Sequence, residues 1–64
     1  MNHQTMSKEE ALKSAENFIL VAARMRAINQ NKDMSFGIRY KAIILAEEAL
    51  YVAEEYIKLA ESKL

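Results

Sequence analysis

The sequence predicts an all-α protein, an antiparallel two-helix hairpin with heptad and alanine seam packing that dimerises into a four-helix bundle. Three observations lead there. Two stretches carry apolar residues at helical spacing, a short run of turn formers separates them, and in the second stretch alanine returns every seventh residue, at Ala46, Ala53 and Ala60 and again at Ala42 and Ala49. There is no proline, and the single glycine, Gly37, falls near the turn.

Residues 1–6 carry no periodic signal and are expected to be a disordered leader, with the hairpin occupying 7–64. Ser7 and Glu10 have the spacing of a capping box, in which the hydroxyl accepts from an orphan backbone N–H and the carboxylate reaches back to the cap. The first helix is therefore expected over 8–29. Its apolar residues Ala11, Leu12, Ala15, Phe18, Ile19, Ala22 and Met25 share one side, with Glu9, Lys13, Glu16 and Arg24 opposite. The pattern fades at Ile28, and Asn29, Gln30, Asn31, Lys32 and Asp33 form a turn-rich run, so the loop is expected over 30–35.

The second helix is expected over 36–62, capped by Asp33 or Ser35. Gly37 then lies in its first turn, or else in a longer loop with the helix starting near Ile38. The heptads place Ile38, Leu45, Val52 and Leu59 along one flank of the alanines and Ile43, Leu50, Ile57 and Leu64 along the other. A 3.5-residue period implies left-handed packing at shallow angles, and alanine at the seam allows close approach.

The apolar arc of this helix spans roughly 160°, wider than the stripe of about 100° that one neighbour covers. With 64 residues and no cysteine, and with the one histidine, His3, in the leader, neither disulfide nor metal is available to reinforce a small core. Self-association remains. A twofold dimer is the commonest oligomer, with a tetramer as the larger alternative. Its expected interface is Ile43, Ala46, Leu50, Ala53, Ile57 and Ala60. Nine basic and nine acidic residues give no net charge, but Arg24, Arg26, Lys32, Arg39 and Lys41 gather near the loop while Glu47, Glu48, Glu54, Glu55 and Glu61 crowd the last third. Head-to-tail packing sets these opposite ends together.

The glutamates resemble a carboxylate metal array, yet such bundles add histidine three residues beyond a glutamate and this helix has none. They are expected to form a solvated face, with no metal and no cofactor. Ser7 and Ser35 are better spent as caps, no glycine-rich phosphate loop is present, and an enzyme is not expected. No segment has the roughly 20 apolar residues of a membrane span, and the start lacks a signal-peptide layout, so a cytoplasmic location without membrane contact is expected.

Tyr40, Ile44 and Tyr51 project away from the alanines and form a candidate strip for a partner protein. Leu20 on the first helix is isolated among polar neighbours and extends the candidate surface or stands alone. Arg26 follows Leu12 and Ile19 by sevens into an apolar column. Either its stem packs at the bundle end, or it joins Arg24, Arg39 and Lys41 in an anion site for nucleic acid or a nucleotide. The expected function is that of a non-catalytic interaction or regulatory protein acting as a homo-oligomeric hairpin, with phosphate-ligand binding at the arginine-rich end as the alternative.

Overall fold

The computed structural model describes residues 6–63. The expected disordered leader, His3 and the last seam residue, Leu64, fall outside this range, apart from Met6. Two helices, α1 (Lys8–Gln30) and α2 (Phe36–Glu61), lie antiparallel in a rod of 44 × 16 × 16 Å. No described helix is long and apolar enough to cross a membrane.

The capping box opens α1. Ser7 is extended, at φ −74° and ψ 165°, and its Oγ accepts from the Glu10 amide at 3.1 Å while Glu10 Oε1 accepts from the Ser7 amide at 2.9 Å. The backbone bond from Ser7, then its hydroxyl, holds the Glu10 carboxyl below the usual glutamate range. Glu9 and Glu10 also suit the positive end of the helix dipole.

At the other end of α1 the Asn31 amide donates to the Ile28 carbonyl, and Asn31 Oδ1 accepts from the Asp33 amide at 2.9 Å. That side-chain turn fixes the loop. The cap of α2 is Ser35, whose Oγ accepts from the Ile38 amide at 3.3 Å. Gly37 sits in the first turn with no positive φ, so the backbone there does not require glycine.

The interior is made of alanine. Ala11, Ala15 and Ala22 of α1 and Ala42, Ala46, Ala49, Ala53 and Ala60 of α2 are buried, and among the described residues no other side chain is. Ala22, Ala46 and Ala49 form its centre, with Phe18, Met25 and Leu50 packed around them. This arrangement corrects the expected interface. Ala46, Ala53 and Ala60 are closed off by α1 of the same chain, Ala46 at 0% exposure, so a second chain cannot reach them. The physical reason is shape: α1 carries its own alanine stripe, which seats in the alanine groove of α2 at closer range than a flank of leucines permits. Helix α1 therefore straddles the groove instead of covering one flank, and the large side chains on both sides stay partly exposed.

Two outcomes test these contacts. Ala46→Leu overfills the groove and should cost about 1–3 kcal/mol in denaturant unfolding, whereas Ala23→Leu, on the exposed side of α1, should change little. Because the folded carboxyl of Glu10 titrates below its unfolded value, the capping box contributes fully above the unfolded pKa and is lost as pH falls through the lowered folded one. Ser7→Ala should therefore lower the melting temperature at neutral pH and flatten this part of the acid limb of a pH titration.

Candidate interaction surfaces

On a helix, residues about 100° apart in sequence order divide around a stripe in a fixed way. Relative to Ala11, Ala15 and Ala22, that rotation puts Val21 and Ile28 on one side of α1 and Leu12 and Ile19 on the other. The same rule separates Ile38, Leu45, Val52 and Leu59 of α2 from Ile43, Leu50 and Ile57. The hairpin thus has two apolar faces.

The first face is a groove. At the loop end it is lined by Met25, Ile28, Ile38 and Leu45, with Lys41 on its rim. It continues past Phe18, Val21, Ala49 and Val52, with Glu48 on the rim, and shares Met25 and Leu45 with the preceding stretch. It ends between Tyr51, Tyr56 and Leu59, with Glu55 on the rim. Phe18 and Tyr56 bridge the two helices as stacked rings, 5.9 Å between centroids and 16° apart in plane. The second face is narrower, and on it Leu12 and Ile19 are exposed while Ile43, Leu50 and Ile57 are half-buried.

Tyr40 and Tyr51 are 58% and 65% exposed on the outer side of α2, with Ile44 half-buried between them. The strip is longer than the sequence reading made it. Phe36, 80% exposed, stacks on Tyr40 at 6.1 Å between centroids. Its signal was available: it precedes Tyr40 by four residues and Ile43 by seven, at the head of that heptad flank. Leu20 is exposed on the polar side of α1.

The four basic residues of the expected anion site are divided around the hairpin. Arg24 and Arg26, like Arg39 and Lys41, are two residues apart on one helix, and residues so spaced do not face one another. Lys41 borders the groove, whereas Arg26 and Arg39 fall toward the other face. Arg26 is exposed and forms no hydrogen bond or ion pair with another described side chain. Arg39 is partly committed elsewhere. Its Nε donates to the Asn29 carbonyl at 2.8 Å, and the Asn29 side-chain amide donates to the Arg39 carbonyl at 2.9 Å. No basic residue occupies the last turn of α1, so Arg39 supplies from α2 the cation that its negative dipole end favours.

The glutamates Glu47, Glu48, Glu54, Glu55 and Glu61 are exposed, and among the described residues no cluster of acidic, histidine or cysteine side chains is placed to hold a metal ion. No family model, no curated protein and no solved structure matches the chain.

The clamp gives its own expectation. Arg39→Ala should cost about 1 kcal/mol and speed amide hydrogen exchange in the last turn of α1. Arg39→Lys should not restore it, because lysine has no donor at the position of Nε.

Proposed function

We propose that the chain is a small non-catalytic interaction protein, a helical hairpin that pairs with a second copy into a four-helix bundle and presents the outer side of α2 to a partner protein. One observation carries this reading: among the described residues every buried one is an alanine, while the large aliphatic and aromatic side chains remain partly or fully exposed on both sides of the hairpin. Covering a large apolar side chain completely is worth about 1.5–3 kcal/mol. Against a net stability of about 5–15 kcal/mol, a few such residues decide whether the lone hairpin or its assembly persists. Phe36, Tyr40 and Tyr51 support the second half of the proposal, since aromatic side chains are enriched at protein interfaces and the two tyrosines can keep their hydroxyls wet there.

Phosphate binding at the loop end is the weaker reading, because the four basic residues are divided between two sides and Arg39 is held by Asn29.

Light scattering at micromolar concentration should report about twice the 7.3 kDa chain mass, and a stable monomer there contradicts the reading. Capture of a partner from native lysate should be lost in Tyr40→Ala without a change in that mass. A polyanion contact would weaken steeply between about 50 and 200 mM salt, whereas the proposed aromatic contact should hold over the same range.

A further inference from the structure

We infer that self-association uses the groove face between Phe18, Leu45 and Val52 and runs head to tail, so that Lys41 of each copy meets Glu55 of the other. This rests on the reading of the chain as a self-associating hairpin and adds the face and the direction.

The groove is continuous along the rod, because its three stretches share Met25, Leu45 and Val52. To those three it adds Phe18, Val21, Ile28, Ile38, Leu59 and Tyr56, the last stacked on Phe18, whereas among the described residues the opposite face carries Leu12, Ile19, Phe36, Ile43, Leu50 and Ile57. The greater gain from burial lies in the groove.

Its α2 rim is polarised. Lys41, Glu48 and Glu55 follow one another by sevens, basic at the loop end and acidic beyond it. A twofold axis lying in the interface and crossing the helices brings α2 against the partner's α2 with its direction reversed. If the axis passes at Glu48, residues 41 and 55 stand opposite each other twice over, and the two Glu48 carboxylates meet at the centre. Same-direction pairing would instead set the two basic loop ends together. Glu55 also accepts from Lys58 at 3.4 Å, but that pair is exposed on both sides and leaves the carboxylate open to a second cation.

The signature is a set of variants of the full chain, read as dimer dissociation constants by analytical ultracentrifugation at low salt. Lys41→Glu should weaken the dimer about three- to thirtyfold, and Lys41→Glu with Glu55→Lys should recover most of it. Glu48→Gln should tighten it about two- to fivefold, because it removes a like-charge pair. Same-direction pairing predicts no recovery in the double variant. The chain has no cysteine, so single cysteines report the face directly. A short bismaleimide should join Glu48→Cys chains into covalent dimers and leave Ile19→Cys chains, on the opposite face, unjoined. The reverse cross-linking pattern, or a double variant no better than Lys41→Glu alone, overturns the assignment even if the chain dimerises. A wild-type chain that stays monomeric overturns the function reading instead.

Discussion

The contact between two alanine stripes is the constraint on which the rest of the hairpin depends. Alanine lets helix axes approach toward the short end of the usual range of about 8–10 Å. At that separation no leucine, isoleucine or phenylalanine fits between the helices. The large residues of both helices are therefore turned outward along two lines, half-shielded by their neighbours and half open to water. Close helix packing and an incomplete core have the same cause.

That contact works only in register, and the chain fixes the register at the loop. Ser35 starts α2 at a defined residue, the Asn31 side chain shapes the turn before it, and Asn29 and Arg39 hold the two helices through reciprocal bonds to each other's backbone. A slip of one residue in either helix would rotate its stripe by about 100° and carry alanine out of the interface. The clamp also answers a local electrostatic need, since α1 ends without a cation of its own. One arginine thus satisfies a helix terminus and aligns the stripe.

The all-α hairpin was legible because helical periodicity, a capping box and a turn-rich run are local signals, each carried within a few residues. Which neighbour occupies which part of the apolar arc was not. A sequence gives the width of that arc, and the two flanks and the alanine stripe between them look equally apolar. Assigning α1 to the stripe needed the shape of both surfaces, since Ala11, Ala15 and Ala22 matter only when set against Ala42, Ala46 and Ala53. The Asn29–Arg39 clamp joins residues ten apart across a loop and leaves no local pattern to find. The anion site set Arg26 beside Arg39 across the hairpin with Arg24 and Lys41 nearby, but residues two apart on a helix do not face one another, and Arg39 is bonded to Asn29. Phe36 was legible as the head of the column of Ile43, Leu50 and Ile57, but its stacking on Tyr40 took side-chain geometry to show.

If the chain self-associates as proposed, its alanine core ties stability to association. In a protein with a core of large side chains, binding surfaces are added to a fold that stands without them. Here Leu45, Val52, Met25 and Ile28 belong only partly to the hairpin, and whatever covers them adds to folding as much as to binding. A ligand that binds only the folded form raises stability with its own concentration, and for self-association that ligand is the chain itself. Phe36 and Tyr40 are exposed and line no stretch of the groove, so they stand outside this coupling, whereas Tyr51 borders the groove's end. On the proposed reading, substitution of Phe36 or Tyr40 changes recognition while the assembly stays intact, which makes that part of the outer side of α2 free to specialise.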